Sequence, residues 1–457
     1  MIAVIGAGPA GLAAAWRAAL AGHDVVVLDR APVVGGMAGS FEVAGLRVDH
    51  GSHRLHPATP APIVAALRDL MGADLQTRPR HGRIRLLDRW LAFPLRTADL
   101  LARTPRRFAA RAARDAATGP LRRPRADTFA EVVRAGLGPA VLDTFYGPYA
   151  RKLWDADPAD LAGELARRRV SASSPAAIAR RLMRGARPEG RVFLYPRRGF
   201  GAIAEALAAA AAGAGAEIGL GCGVTGLRHD GRWTVTLADG GTVTADHVWS
   251  TAPLPAVARM VGPTPPAGAL AAAGRLRHRA LVLLYLVLDR PRWTEFDAHY
   301  FPGPEVVAAR LSEPRNYRHD PDQPADRTVL CAEIACWEGD ELWAAADADL
   351  AARLAAELAA AGLPDATPVE VVSRRLPRVY PVYGPGFAAD LAALEGWAAG
   401  LPGLLTFGRQ GLFTPDNTHH ALAMGWAAAD ALRPDGSLDG DRWRAARDGF
   451  RGFVVED

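Results

Sequence analysis

The sequence predicts an α/β fold that opens on a Rossmann-like βαβ unit and later turns to antiparallel sheet. Three observations carry that expectation: a glycine-rich loop between an apolar strand and a helix in the first thirty residues, a return of short buried-strand patterns with helices after residue 195, and long β runs from residue 276 onward. Ile2 to Ile5 is a short apolar run of the kind buried on both faces. Gly6, Gly8 and Gly11 follow at G-x-G-x-x-G spacing, with Pro9 and Ala10 inside the motif. An alanine-rich helix is expected from Leu12 to about Ala21 and ends at Gly22; Val25 to Leu28 is a second strand, closed by Asp29. Gly6 makes the tight turn, Gly8 lets backbone approach a pyrophosphate, and Gly11 brings helix close to strand. The helix N-terminus then directs free N–H groups and the positive end of its dipole at phosphate. Asp29 stands 18 residues after Gly11, where an acid meets a ribose hydroxyl, and Arg30 beside it joins the expected cofactor contacts. With strand, helix, second strand and acid all around it, the loop reads as a dinucleotide site rather than a fortuitous glycine turn.

At 457 residues and 49% hydrophobic content, the chain can bury the cores of two or three packed units. Its formal net charge of +5 is carried almost wholly by arginine, Lys152 being the only lysine. Beside abundant Ala, Gly and Pro, that skew reads as coding bias, and the charge is not clustered with a reading element, so no nucleic-acid partner is expected. Cys222, Cys331 and Cys336 form no C-x-x-C; they read as reduced core residues of a cytoplasmic protein, and no metal site is expected. The chain enters a strand at once without a basic leader, so no signal peptide is expected, and no apolar run of about 18 residues is present to span a membrane.

Gly35-Gly36 allows a second close approach of backbone to a ligand phosphate. Phe41 to Val48 alternates like a hairpin around Ala44-Gly45, and Asp49 to His53 is a turn-rich stretch beyond it. On these residues the chain resembles the FAD-binding fold shared by flavin amine oxidases, protoporphyrinogen oxidases, carotenoid desaturases and UDP-galactopyranose mutases. The resemblance implies FAD as cofactor, held in a two-dinucleotide-binding-type domain with an inserted mixed helical and antiparallel-sheet substrate domain. It implies that Gly35, Gly36, Met37 and Ala38 lie along the ribityl-phosphate, and that Gly51, Ser52 and His53 lie next to the isoalloxazine. The family often carries Arg after the paired glycines; Met37 stands there, so one phosphate partner is missing or replaced. By type alone His53 and His56 are ordinary loop histidines; the resemblance makes His53 a candidate catalytic group.

From Thr59 to Gly72 the apolar spacing is helical (Ile63, Leu67, Leu70, Met71), and Arg78 to Pro94 reads as short strands. Residues 97–136 read as helical and arginine-rich: a solvated face, or one that sits on an anionic membrane surface or attracts a phosphorylated substrate. Next, Tyr149, Lys152, Trp154, Asp157, Pro158, Leu161 and Arg167–Arg169 resemble a segment of UDP-galactopyranose mutases and mutase-like FAD oxidoreductases that helps build the cleft over the flavin. The resemblance implies that Tyr149, Lys152 and Trp154 bind substrate. Flat apolar walls with charge-assisted donors suit an anionic, ring-bearing ligand. The alternative is a helix that packs Tyr and Trp into the core and leaves its basic face in water.

The chain then returns to βα patterns: a helix at Ala202–Ala212, a strand through Val224 that the resemblance lays against adenine, a hairpin across Asp239-Gly240-Gly241, and a strand at His247–Thr251. HRALVLLYLVLD, two candidates in HYFPGPEVVAARLSEPRNY, and TVLCAEIACWEGDELW point to an antiparallel sheet; a helix at Ala345–Ala361 and a strand at Val369–Arg375 follow. A strand at Leu404–Phe407 leads to Gly408-Arg409, and a last helix is capped near Asp416 or Asn417. By the resemblance Gly408 meets the ribityl-pyrophosphate and that helix faces the flavin. Arg409, Asn417, Thr418 and His419 are therefore flavin-site candidates, with Arg409 joining His53 as catalytic. The expected division is 1–75, 190–265 and 365–433 for the FAD domain, 76–189 and 266–364 for the substrate domain, and 434–457 as a charged tail with a peripheral helix. Three functions follow: an FAD-dependent oxidoreductase acting on a small molecule, a mutase with no net redox change, and a non-catalytic FAD-binding protein. The GRQGLF…DNTHH ending resembles the oxidoreductases and tips the expectation toward them.

Overall fold

A computed structural model describes residues 1–94, 99, 103–170 and 192–455. The opening run folds as its apolar pattern dictates: Ile2–Ile5 and Val25–Asp29 pair in parallel, Ile2 against Val25, with the Pro9–Leu20 helix crossing between them. They lie inside a five-stranded parallel sheet in the order Leu404–Thr406, His247–Ser250, Ile2–Ile5, Val25–Asp29, Glu217–Leu220. Side chains alternate across it. Ile2, Val4, Val25 and Val27 pack against the helices Pro9–Leu20, Ala202–Gly213 and Thr418–Asp430. Ala3, Ile5, Val26 and Leu28 face the opposite way, into a cluster with Trp233 and Val235. Those two belong to a four-stranded sheet of Thr242–Ala245, Arg232–Leu237, Val224–Asp230 and Val261–Gly262.

The second large sheet has seven strands, in the order Glu370–Pro381, His278–Leu288, Thr328–Cys336, Arg310–Ser312, Ala298–Tyr300, Gly82–Leu86, Arg89–Phe93. Every neighbouring pair is antiparallel except Ala298–Tyr300 with Gly82–Leu86. The Asp347–Ala360 helix covers one face through Leu350, Leu354 and Leu358. The strand expected at Val369–Arg375 runs on to Pro381 because its partner His278–Leu288 offers pairing along its whole length. The register slips between Arg279 and Leu281, opposite Pro377, which has no N–H to donate. Residues 370–381 therefore pair within this sheet.

Smaller pieces behave as their turn residues require. Ser40–Val43 and Leu46–Asp49 form the expected hairpin, with Ala44 and Gly45 both at positive φ. Leu75–Pro79 pairs with Val192–Pro196. Within the arginine-rich stretch the helix Arg106–Thr118 has no buried residue and the helix Phe129–Leu137 has one buried face. The parts of that reading at 97, 98 and 100–102, and the parts of the expected domains at 171–191 and 456–457, lie outside the described residues. The last helix, Gly440–Phe450, is not merely peripheral: Trp443 and Phe450 are buried in the cluster beneath the parallel sheet. Among the described residues no helix is long and apolar enough to cross a membrane.

One contact sets the depth of this layer. Gly425 rests on the start of the Pro9–Leu20 helix, where a Cβ would collide with the Ala10 carbonyl and approach Ala13 Cβ to 3.1 Å. Gly425→Val is expected to cost about 1–3 kcal/mol by overpacking. Chemical denaturation measures this, and an unchanged midpoint would show that the two helices have room to part.

Candidate flavin site

The site begins with backbone. A side chain at Gly6 would collide with Thr251, and one at Gly11 with the Gly6 carbonyl, so the loop closes only with both glycines. Gly8 differs: the nearest protein atom to a Cβ there is the Gly35 carbonyl at 3.9 Å, leaving open space over the loop. No side chain caps the Pro9–Leu20 helix, which leaves its first N–H groups for a ligand. Gly35 donates to the Ala7 carbonyl at 2.8 Å and Gly36 packs on Gly8, so the second glycine pair lies against the first. Asp29 braces the loop by accepting from Ala7 N at 2.7 Å and Ala31 N at 2.8 Å. Each of its oxygens keeps a second lone pair for a ribose hydroxyl. Residues 221–223 close over Asp29–Ala31 by backbone bonds, Cys222 N to Asp29 O at 2.8 Å and Gly221 N to Ala31 O at 2.9 Å. Gly223 stands beside Arg30. Val224 differs from its expectation: the parallel strand ends at Leu220, and Val224 opens the neighbouring sheet.

At the other end the turn from Asp49 to His53 is held from all sides. The buried Asp49 carboxylate accepts from Ser40 Oγ at 2.6 Å, Phe200 N at 2.9 Å and the Tyr195 hydroxyl. Ser52 N donates to Glu333 Oε1 at 2.7 Å, and Arg310 grips both oxygens of the same carboxylate at 3.0 and 2.9 Å. His53 Nε2 lies 2.9 Å from the Met37 carbonyl and 3.0 Å from that of His50. Carbonyls only accept, so Nε2 carries the proton. Its ring stacks on Phe200 at 5.1 Å, and burial pushes its pKa down against the pull of Asp49 and Glu333, so the imidazole is neutral. His50 makes a matching contact, Nδ1 to the Gly36 carbonyl at 3.2 Å.

The C-terminal stretch meets both loops. Gly408 backs onto Ala10 and Thr251. Arg409 donates to the carbonyls of Asp416 at 2.9 Å, Pro415 at 3.2 Å and Val379 at 2.8 Å, tying this stretch to the seven-stranded sheet. Gln410 reaches the Met37 sulfur at 3.2 Å and the Arg378 carbonyl at 2.8 Å. Met37 thus makes a packing contact where an Arg was expected. Asn417 caps the Thr418–Asp430 helix in a capping box with His420, and His419 lies 5.6 Å from the ring of His56.

The structure therefore brings together the glycine loops, Asp29, Arg30, Met37, Ala38, the 51–53 turn and Gly408-Arg409. The residues expected to bind substrate each make contacts within the protein. Lys152 Nζ donates to the carbonyls of Phe301 at 2.6 Å, Val306 at 2.7 Å and Ala308 at 3.3 Å, which engages all three ammonium protons; burial lowers its pKa to about 8. Trp154 is only 2% exposed, packed between Phe129 and the Arg169 guanidinium. Tyr149 stacks flat on Phe145 at 5.9 Å. The sequence reading did not single out His50, Arg310, Glu333, Tyr380 or Gln410. Glu333 left a signal, since a lone acid within the apolar run TVLCAEIAC needs a buried partner.

Shape and donors fit a dinucleotide flavin: open space over Gly8, an uncapped helix start, a second glycine pair and an aromatic-backed turn. A profile of flavin-containing amine oxidoreductases matches residues 9–431. The chain belongs to that family. FAD is its cofactor. Reduced UDP-galactopyranose mutase is similar in structure, with a TM-score of 0.79 and 21% identity over 94% of this chain and 93% of that one. A protein designated a protoporphyrinogen oxidase from Exiguobacterium sp. 255-15 follows at 0.71, with 18% identity over 94% and 97%. Putrescine oxidase bound to putrescine gives 0.63, with 18% identity over 94% and 98%. At these identities the likeness is one of fold. No curated protein matches the chain.

Two outcomes follow from this geometry. Gly8→Val is expected to keep the folded circular dichroism spectrum but lose bound FAD, because its side chain fills ligand space and not protein space; a fully loaded variant would refute the assignment. The second concerns acid stability. His278 is held to a pKa of about 4 by burial and then by Arg409 and Arg378. The unfolded chain takes up that proton first, so stability present above about pH 6.5 is lost as pH falls toward 4. In His278→Gln the loss of Tm across that window should shrink, and an identical pH profile would count against the burial of a neutral imidazole.

Proposed function

We propose that the protein is an FAD-dependent oxidoreductase that oxidises a small organic molecule bearing an anionic group, with hydride passing from substrate carbon to flavin N5. The supporting observation is the charge around Tyr380. Arg409 lies 5.9 Å from its ring, and the charges of Arg310 and Arg169 also act on that phenol, against that of Glu333. Arg374, 4.5 Å over Phe41, and Arg378 are exposed on the same strand. A substrate entering as a cation meets like charge there; a carboxylate or phosphate meets the exposed Arg374 and Arg378.

Bound FAD supplies the two-electron acceptor. The chain's own groups bind and orient. Gly8, Gly11 and the helix start hold the pyrophosphate; Gly51, Ser52 and the Glu333–Arg310 pair fix the turn beside the ring. His53 and Arg409, expected from the sequence as catalytic, act as positioning residues, because their donors are directed at backbone carbonyls. The mutase reading loses support once Lys152 and Trp154 are engaged within the protein.

Anaerobic mixing with carboxylate- and phosphate-bearing candidates should bleach the oxidised flavin. Turnover that requires prior dithionite reduction would replace this reading with the non-redox one. With the substrate found, Arg374→Ala should raise KM about tenfold, equivalent to about 1.4 kcal/mol, and leave kcat near wild type. An unchanged KM would remove the anionic assignment.

A further inference from the structure

Away from the glycine loops, a cleft of about 340 Å³ opens between the 40–49 hairpin, the Arg197-Arg198 turn and residues 318–323. Arg318 lines it and is only 4% exposed. Its Nη2 donates to the Arg47 carbonyl at 2.7 Å, but Nε and Nη1 are buried without a hydrogen-bond partner. Asp320 stands 3.9 Å from Nε, beyond hydrogen-bond reach, and shares itself with Arg197 at 3.5 Å. Arg197 in turn is bound to Asp74 and Asp322. Arg198 is exposed at the rim, while Gln323 lines the wall with a buried Oε1 that accepts nothing.

A buried guanidinium with two unmet donors is expensive, and an unmet amide oxygen adds to the cost. Both demands are answered by one kind of occupant. We infer that this cleft is a second binding site, for a small molecule whose oxyanion group sits on Arg318 with Arg198 at the rim, and whose hydroxyl or N–H is received by Gln323. That oxyanion chemistry is shared by phosphate esters and carboxylates. The site shares no lining residue with the glycine loops or the Tyr380 wall, so it stands whatever reaction the flavin performs.

The test uses the FAD-loaded protein, with inorganic phosphate and citrate titrated separately at ionic strength matched by chloride. Thermal unfolding and calorimetry should show saturable binding of at least one, with the flavin absorbance undisturbed. A response to phosphate alone assigns a phosphate ester, and one to citrate alone a carboxylate. Arg318→Gln should weaken binding at least about tenfold. Removing a buried guanidinium also disturbs packing, so surface Arg198→Ala provides a second arm: several-fold weaker binding with the unliganded Tm unchanged. The inference is overturned if neither anion acts beyond chloride, if both variants bind like wild type, or if binding survives in them and disappears in Arg374→Ala.

Discussion

The Glu333 carboxylate is the point on which the two halves of the molecule depend. It is 2% exposed and lies on a strand of the seven-stranded sheet, yet one of its oxygens accepts from Ser52 of the turn that follows the glycine loops. Arg310, directly opposite on the adjacent strand, closes the pair through Nε and Nη2 and also reaches the Ser52 carbonyl. Removing a charge of this kind from water is costly, and only the full set of donors offsets it. The turn, the arginine and the acid must therefore arrive together. A sheet that shifted by one residue would turn Glu333 to the opposite face and leave Arg310 and Ser52 unmet. In that sense the position of the 49–53 turn is set by the register of the seven-stranded sheet.

What could be read from the sequence follows from how local each piece of physics is. The opening βαβ unit was legible because three glycines, two apolar runs and an acid state their jobs within thirty residues. The Ala44-Gly45 hairpin was legible for the same reason: positive φ at both central positions is a local demand. The Glu370–Pro381 strand was legible as a strand but not in its length, because its end is decided by its distant partner His278 and by a slip opposite Pro377. The Gly440–Phe450 helix looked peripheral from its charge; the two aromatics that bury it are visible only once the cluster they enter exists.

Lys152 and Trp154 show the other limit. Their types and spacing suit a cleft for an anionic ring, and the resemblance pointed the same way. What no residue pattern states is whether a lysine's three protons are already taken. Here they are, by carbonyls of the segment 301–308. Burial without a carboxylate at contact distance lowers the ammonium pKa to about 8, the behaviour of a cation kept for its geometry more than for its charge. The same logic applies to His53 and Arg409: both direct donors at main-chain carbonyls, and so hold loops in place.

A division of labour results. The dinucleotide end is made from main chain, with glycines at 6, 8, 11, 35 and 36 and a helix start, and backbone cannot change its chemistry by point substitution. The wall around Tyr380, Arg374 and Arg378 is made from side chains on one long strand, where each position can change without disturbing the loops. Solved structures named as a mutase and as oxidases each share this fold with the chain at about one identity in five. A site built from backbone is carried by the fold itself, whereas one built from side chains can change while the fold stays. On the reading proposed above, discrimination between substrates falls to the arginines and aromatics of that strand, because the glycine loops have no side chains with which to choose.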